Sequence, residues 1–460
     1  MKKNKKTPNL PVGFLDFRGN TLELKKKIIK IIEDNFINFG FSALEQSTFE
    51  ISENIGSFLA DDPNNPMADV YSFEDGKEQL TYRYDMTAGL ARMYAANYLE
   101  LPPIYKRYCI GDVARREKPQ KKIRLKSFTQ ADCDIIGNVN KFQANAELCN
   151  LIADSLLKLN FKKEQFKICI SNRKIIEGLI ADLKITNENQ KLKVFRAIDK
   201  ISNPNIGISG VKDLLGSKRA DQSGAIQIGA NLSKDQIETI INCIQLKDLK
   251  EISSSLKNPL SKEGINETEK LLEIVSYGNY SNQINISIEK VRGINYYSGW
   301  LVETELSIPN FGSGLSVCSG GEYRDLIGSF KGRSTPGVGI SFGITRLTAI
   351  LSEIKQLKVN EKKPALICVM DSKYLSKYYE ILNELRSNGI NSEIYLDSEK
   401  NLGKQLTYAN VRGCPVAVIC GENEFKDNNI TLKNLLGVKG ENNQTTFPKE
   451  NLINEIKKFI

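Results

Sequence analysis

A chain of 460 residues, 40% hydrophobic and 26% charged, has the composition of a water-soluble globular protein and the length for roughly three domains. No apolar run approaches membrane-spanning length, and the basic opening MKKNKK leads into TPNLPVG without the apolar stretch of a leader, so a cytoplasmic protein is expected. The formal net charge of +9 suits a nucleic-acid partner, while the complete absence of histidine excludes imidazole as acid, base, nucleophile or metal ligand.

Asn20 and Glu23 have the spacing of a capping box, and Leu24, Ile28, Ile32 and Phe36 recur at helical spacing up to a stop at Gly40. FSALEQSTFE then reads as a strand, and residues 51–78 as loop, with the breakers ADDPNNPMAD in their middle. In LTYRYDMTAGLARMYAANYL a strand runs into a helix. Alternation puts Thr81, Arg83 and Asp85 on one face, and Thr87 can cap a helix whose apolar positions are Leu90, Met93 or Tyr94, and Tyr98.

Tyr105 to Gly137 reads as one long antiparallel hairpin: an alternating strand through Tyr108, Ile110 and Val113, a charged loop, and a return through Phe128 to Ile136. The loop carries Arg115, Arg116, Lys118, Lys121, Lys122, Arg124 and Lys126 against the single acid Glu117. So much like charge repels itself and suits a polyanion better than packing. On the return strand Phe128, Gln130, Asp132 and Asp134 share a face; Thr129, Ala131, Cys133 and Ile135 share the other, which is small or apolar and reads as core. An aromatic plate, an amide and two carboxylates beside arginines can hold an adenine, a polar group and a cationic amine together. Taken alone, the stretch also fits an edge hairpin with a solvated face.

Lys141 to Leu159 is an amphipathic helix and FKICIS a strand; residues 174–275 form a lysine- and asparagine-rich, mostly helical region without a chemical motif, read as an insertion. Strands return from Ile284 to Gly343. Within VRGINYYSG, Arg292 and Tyr297 would fall on opposite faces of a regular strand, and Gly293 offers the break that lets both reach one site. Gly320 and Gly321 remove side chains where something must approach the backbone. Ile344, Leu347, Leu351 and Ile354 make a helix stripe with Arg346 off it, near the helix start, as an anion candidate. After a charged linker (352–364), PALICVM, a helix through Leu375 to Leu385, NSEIYL, a helix near Leu406, PVAVICG and a terminal helix predict a small α/β domain with a mostly parallel sheet. The nine cysteines are scattered, odd in number and free of CxxC pairs, so buried reduced thiols are expected.

Arg115, Arg292 and Arg346, with Phe128, Asp85 and Asp134, could grip a nucleoside triphosphate without a GxxxxGK[ST] loop, which the chain lacks. In order, RYDMT, VARREKPQ, SFTQADCD, VRGINYYSG, CSGGEY and GVGISFGITRL, and then LGKQLTYANVRGCPVAVICGENE, resemble histidyl-tRNA synthetase, a class II aminoacyl-tRNA synthetase family, over essentially the whole chain. The resemblance implies an α+β fold: a class II synthetase-like antiparallel-sheet catalytic domain with a helical insertion, plus a C-terminal α/β anticodon-binding domain. It divides the chain into catalytic residues 1–173 (motifs 1 and 2), a mostly helical insertion at 174–280, catalytic residues 281–355 (the histidine-specific motif and motif 3), and anticodon-binding residues 356–460.

The activity implied is ATP-dependent ligation of histidine to tRNA(His) through histidyl-adenylate, in a homodimer, with Mg2+ accompanying ATP and no metal-ligating residues assigned. By the resemblance, residues 41–50 form the dimer interface. Arg115 and Arg292 brace the α-phosphate, Phe128 stacks on adenine, Arg346 holds ATP, and Arg124 reaches the far phosphates. Asp85, Thr87, Gln130 and Asp134 hold histidine's amino group and nearby polar atoms; Tyr296, Tyr297 and Tyr323 complete its pocket, Tyr297 and Tyr323 reading the imidazole. Lys118, Gln120, Lys121 and Lys122 meet the acceptor end of the tRNA. The chain departs from the family's pattern at Ser47 (usually proline), Thr129 (commonly histidine, here on the core face), Asn295 (usually an acid) and Glu322 (usually arginine), and its basic loop is one residue longer. Two other readings are a non-catalytic synthetase-like regulatory subunit of ATP phosphoribosyltransferase, which typically lacks the anticodon-binding domain and the catalytic arginines, and a class II synthetase for another amino acid, against which VRGINYYSG stands.

Overall fold

The computed structural model describes residues 7–56, 70–119, 123–203, 205–220, 226–291, 297–309, 311–323, 328–331, 335–359, 361–397, 400–437 and 443–460. Of the expected site residues, Gln120, Lys121, Lys122, Arg292 and Tyr296 lie outside them, as do Gly293 and Asn295. The chain divides into two compact units, Met1–Val359 and Asn360–Ile460.

Helix α1 (Gly19–Asn38) buries Leu24, Ile28, Ile32 and Phe36, the stripe its sequence spells out. It opens with Arg18 at the cap position and no side-chain cap, so the Asn20–Glu23 pair does not start it. FSALEQSTFE is not one strand. It breaks into β1 (Ser42–Ala43) and β2 (Phe49–Ile51), which belong to different sheets. Ser47 makes the turn between them: its hydroxyl accepts from Phe49 N at 3.2 Å and donates to Phe49 O at 2.6 Å. The supposed loop at 51–78 contains a short helix, α2 (Ser52–Gly56), and a strand, β3 (Ser72–Asp75), that pairs with β4 (Glu78–Tyr82). Gly76 and Lys77, with Gly76 at φ +63, form the two-residue turn that closes them.

The remaining elements of the first unit are α3 (Thr87–Asn97), β5 (Ile104–Ala114), β6 (Ser127–Gly137), α4 (Lys141–Lys158) and β7 (Phe166–Asn172), followed by the region read as an insertion. That region holds α5 (Arg173–Asp182), α6 (Glu188–Ile198), α7 (Gly207–Leu215), the hairpin β8 (Lys218–Ala220) and β9 (Ile226–Ile228), α8 (Lys234–Gln245), α9 (Leu249–Ser255) and α10 (Pro259–Ser276). The chain returns through β10 (Ile284–Ile286), β11 (Tyr297–Ile308), β12 (Gly312–Tyr323), α11 (Gly328–Lys331), β13 (Gly337–Gly343) and α12 (Ile344–Ile354).

Eight strands form the main sheet in the order β1-β5-β6-β13-β12-β11-β7-β10. Its six central strands are antiparallel to their neighbours, and only the outer pairs β1/β5 and β7/β10 run parallel. One face is buried under α1, α4 and α12, where Ala131, Cys133, Ile135, Ile340 and Phe342 meet Ile28, Leu151, Ile152, Leu347 and Leu351. The other face carries Tyr323, Tyr297 and Ile136 beneath α3. Alternation along β6 sorts its residues as expected: the core-face Thr129 is buried, and its N–H donates to Thr345 Oγ1 at 2.9 Å. Helix α10 ties the inserted helices to this body, giving Ile265 to their core and Leu271 and Val275 to the core of the sheet.

In the second unit, β14 (Ala365–Ile367), α13 (Leu375–Ser387), β15 (Ser392–Ile394), α14 (Leu402–Arg412), β16 (Val416–Ile419), α15 (Glu422–Lys426), β17 (Asn429–Asn434), β18 (Gln444–Pro448) and α16 (Leu452–Ile456) follow one another. The sheet order is β15-β14-β16-β17-β18. Its first three strands are parallel, but β17 and β18 add an antiparallel hairpin that the sequence reading left out, so the sheet is mixed. All nine cysteines are free and buried.

Candidate active site

The open face of β6 collects the chemistry. Phe128, Gln130, Asp132 and Asp134 lie along it, and the neighbouring β13 adds Ser341 opposite Asp132 and Gly339 opposite Asp134. Tyr323, at the end of β12, donates its hydroxyl to Asp134 Oδ1 and stacks on Tyr297, with ring centroids 5.8 Å apart at 21°. Glycines make this packing possible. A methyl group at Gly339 would overlap both the Asp134 carboxylate and the Tyr323 hydroxyl, and one at Gly321 would come within 2.8 Å of the Tyr297 ring. What approaches the paired glycines is therefore the protein itself: the Tyr297 ring at Gly321 and the neighbouring β13 backbone at Gly320.

Beneath the carboxylates lies Arg107 of β5, fully buried, with Nη2 2.8 Å from Asp134 Oδ2 and donating to the Met86 carbonyl at 3.1 Å. Two carboxylates share this one guanidinium. Burial, opposed by Arg107 and reinforced by Asp134, pushes the Asp132 carboxyl up to about 7, and burial raises Asp134 as well despite Arg107 and the Tyr323 hydrogen bond. Desolvation, followed by the fields of Asp85, Asp134 and Asp132, raises the Tyr297 hydroxyl, so all three carboxylates bear on that ring.

Asp85 stands at the mouth of α3, and its Oδ1 accepts from Thr87 N and Ala88 N, each at 3.0 Å. Thr87 does not cap this helix: it is the first helical residue and is buried, Met86 holds the N-cap position, and the Asp85 carboxylate just ahead of it takes the first two N–H groups. At the start of β6, Gln130 donates from Nε2 to Ser341 Oγ at 2.5 Å, while its Oε1 is buried without a partner among the described residues.

Arg115 follows β5 directly. Its guanidinium lies 4.3 Å from the Tyr84 ring centroid and 5.3 Å from that of Phe128, and its Nε donates to Tyr84 O at 3.1 Å. Glu117 sits between two arginines, 3.8 Å from Arg115 Nη1 and accepting from Arg124 Nε at 2.6 Å. Arg346, in the first turn of α12, donates to the carbonyls of Ser316 and Ile123. Since β13 ends at Gly343 opposite Gln130, Arg346 follows a strand that finishes at the same end of the sheet as the Arg115 hairpin. Lys118 is exposed on that hairpin.

Asp85, Thr87, Gln130, Asp134, Tyr297 and Tyr323 thus gather at one face, with Arg115, Arg124, Phe128 and Arg346 toward one end of its strands. Glu322 is not part of the group. It turns to Gly299 and feels Lys141, Glu267 and Lys174, and burial raises its carboxyl. Arg107, Ser341, Tyr84 and Glu117 went unassigned in the sequence, and Asp132 received a face but no role. The signal for Arg107 was a basic residue inside an apolar strand, which only the β5/β6 register sets opposite Asp134.

Residues 13–347 match the family described as histidyl-tRNA synthetase, and residues 363–459 the family described as anticodon binding domain. A curated protein of Pelagibacter ubique named histidine–tRNA ligase is 61% identical over the whole of both chains. One of Roseobacter denitrificans with the same name is 34% identical over 95% of this chain and 92% of its own. Among solved structures, histidyl-tRNA synthetase from Nostoc sp. PCC 7120 aligns over 99% of this chain and 100% of its own, with TM-score 0.73 and 26% identity. A structure from Bacillus halodurans described as an ATP phosphoribosyltransferase regulatory subunit/histidyl-tRNA synthetase shares the fold at TM-score 0.68, with 20% identity over 88% of this chain and 97% of its own.

Proposed function

The chain belongs to the histidyl-tRNA synthetase family and is an aminoacyl-tRNA ligase joining histidine to tRNA(His) with ATP, and from that premise we propose how its residues divide the work. The observation that carries this reading is the convergence on one sheet face of Asp85, Gln130, Asp134, Tyr297 and Tyr323, beside an arginine already stacked between aromatic rings.

In the first step a histidine carboxylate oxygen attacks the α-phosphorus of ATP; the bond to the bridging oxygen breaks and pyrophosphate leaves. Negative charge grows on the α-phosphoryl oxygens, and Arg115 and Arg292 brace them. The adenine ring slides against Phe128, Arg346 holds the nucleotide, and Arg124 turns from Glu117 to the outer phosphates. Asp85, Thr87, Gln130 and Asp134 hold the amino group and its neighbours, while Tyr296, Tyr297 and Tyr323 enclose the imidazole. In the second step a hydroxyl at the tRNA 3′ end attacks the acyl carbon and AMP leaves, with Lys118, Gln120, Lys121 and Lys122 on the acceptor end.

Magnesium accompanies ATP in this reading and offsets the charge of its phosphates. Functionally, residues 1–173 and 281–355 form the catalytic domain, 174–280 the insertion and 356–460 the anticodon-binding domain of a cytoplasmic homodimer that pairs through residues 41–50. The regulatory-subunit reading is not favoured, because the anticodon-binding family match is present and Arg115 and Arg346 are retained.

Amino-acid-dependent pyrophosphate exchange with all twenty amino acids tests the assignment. Exchange with histidine alone is expected, and Arg115→Ala should cut its rate by about 10²–10³-fold at an unchanged melting temperature. Exchange with another amino acid only, or none, would retire it.

A further inference from the structure

Two buried cations fasten β11, the strand that opens with Tyr297, to the inserted helical region. Arg173 is the first residue of α5 and is 6% exposed. Its Nη1 donates to the Tyr297 carbonyl at 3.2 Å and its Nε to Glu177 Oε1 at 2.6 Å, while the guanidinium lies 4.8 Å from the centre of the Phe195 ring of α6. Lys290, where the chain returns from the inserted helices, meets Glu303 and Glu305 of β11 and donates to Ser202 Oγ, in the loop after α6, at 3.0 Å. Ile288 and Val291, on either side of it, are buried with Val194, Phe195 and Ile198 in the core of the inserted helices.

Strand pairing around Tyr297 shows what Arg173 adds. The ladder between β7 and β11 ends at the pair Asn172–Trp300, so it stops short of Tyr297. On the other side, the β11/β12 register slips between Tyr297 and Leu301. Backbone pairing therefore holds Tyr297 less regularly than the rest of β11, although its ring must stack on Tyr323 and sit against Gly321. Helix α5 takes over where β7 ends, and its first side chain supplies an N–H to the carbonyl beyond the ladder. A hydrogen bond fixes that carbonyl in direction as well as distance, which apolar packing does not. A guanidinium has separate N–H groups for the carbonyl and for Glu177, and a flat face left for Phe195. Burying such a cation is unfavourable unless it is paired, and apolar side chains would join these layers at less cost. The arginine thus serves placement better than it serves cohesion.

We propose that Arg173 is a positioning residue for histidine binding: seated by Phe195 and Glu177, it fixes the Tyr297 backbone and with it the ring. The inserted helices then take part in binding the amino acid before any tRNA is present. This rests on the reading of Tyr297 as a wall of the histidine pocket. Lys290 braces the same strand further along, so the start and the end of the inserted region both bear on β11.

Pyrophosphate exchange needs no tRNA, so it separates this role from any contact the inserted helices make with nucleic acid. Arg173→Met keeps the apolar stem and removes the donors. It is expected to raise the histidine KM about tenfold, the loss of one charged hydrogen bond, with the ATP KM within about twofold. Phe195→Leu keeps the core filled and leaves Arg173 in place without the ring beneath it, and should raise the histidine KM about threefold. A merely structural role would lower the amount of active enzyme and leave both KM values alone. An unchanged histidine KM in either variant, or equal rises for histidine and ATP, overturns the proposal. Should Arg173→Met not fold, Arg173→Lys takes its place, with the same rise expected, because it keeps a charge for Glu177 but has no second nitrogen for the Tyr297 carbonyl. If none of the three folds, Arg173 serves the fold alone, which also overturns it. Failure of the underlying site reading would show separately, as absence of histidine-dependent exchange in the unchanged protein.

Discussion

Arg107 is the residue on which the pocket's charge balance turns. A guanidinium with no exposed surface is stabilised chiefly by the carboxylates above it, with one hydrogen bond to the Met86 carbonyl, and it offsets part of the cost of their burial in turn. The balance is incomplete, and this has a consequence for stability. The Asp132 carboxyl rises from an ordinary 3.8 to about 7, chiefly through burial, so the folded chain holds that proton more tightly than the unfolded chain does. Its contribution is therefore fully present below about pH 4 and lost as pH rises through about 7, on the order of 4 kcal/mol over the interval. Asp132→Asn is expected to flatten that decline. The single tryptophan, Trp300, is buried in β11 and reports unfolding of this unit by fluorescence during urea titrations across the pH range. Superimposable pH profiles for the two proteins would exclude Asp132 as the source. Gly339 makes the second prediction at this scale. Because an added methyl overlaps both members of the Tyr323–Asp134 hydrogen bond, Gly339→Ala should separate them and raise the histidine KM by at least about tenfold. Steady-state kinetics with histidine varied would read this, and an unaltered KM would mean that the pair does not shape the pocket.

At the scale of elements, the hairpin β5/β6 was legible because its two strands alternate cleanly and run far longer than the noise of short patterns. The stretch before it was not. Short strands such as β1 and β2 have too few residues to display a period, and what separates them is one serine hydroxyl that turns the backbone. Among the ties between this small outer sheet and the body is a fork between Arg92 of α3 and Glu50 of β2. Nε lies 2.6 Å from Oε2 and Nη2 2.8 Å from Oε1, with Gly89 leaving room for the carboxylate. Glu50 is 6% exposed while Arg92 keeps a third of its side chain in solvent, so the pair sits between the buried and surface limits. A double-mutant cycle of Arg92→Met and Glu50→Gln should give a coupling of about 1–2 kcal/mol in unfolding free energy. Additive single effects would make the fork incidental.

For the whole molecule, the two compact units have separate cores. In the second, Tyr378 donates to Cys420 O at 2.7 Å and accepts from Met370 N at 3.0 Å, while Gln405 both donates to and accepts from the backbone of Val369. With these buried polar groups paired inside the unit and Ile367, Leu382, Val418, Leu452 and Ile456 packed together, residues 361–460 should fold when expressed alone. Circular dichroism should report one cooperative melt, matched by a distinct transition in calorimetry of the full chain; a fragment without cooperative melting would contradict this. By itself the sequence determined that a hairpin with one core face and one polar face exists, that an α/β unit follows a charged linker, and which face Gln130, Asp132 and Asp134 share. Those properties are set by alternation and composition, which act over neighbouring residues. Only the tertiary structure decided that Arg107 lies under two aspartates, that Tyr323 closes on one of them, and that Asp132 is left with an unused oxygen. The register of β5 against β6 sets Arg107 opposite Asp134, while the Tyr323 contact joins segments 189 residues apart, with room left by the missing Cβ at Gly339, and no local pattern connects those.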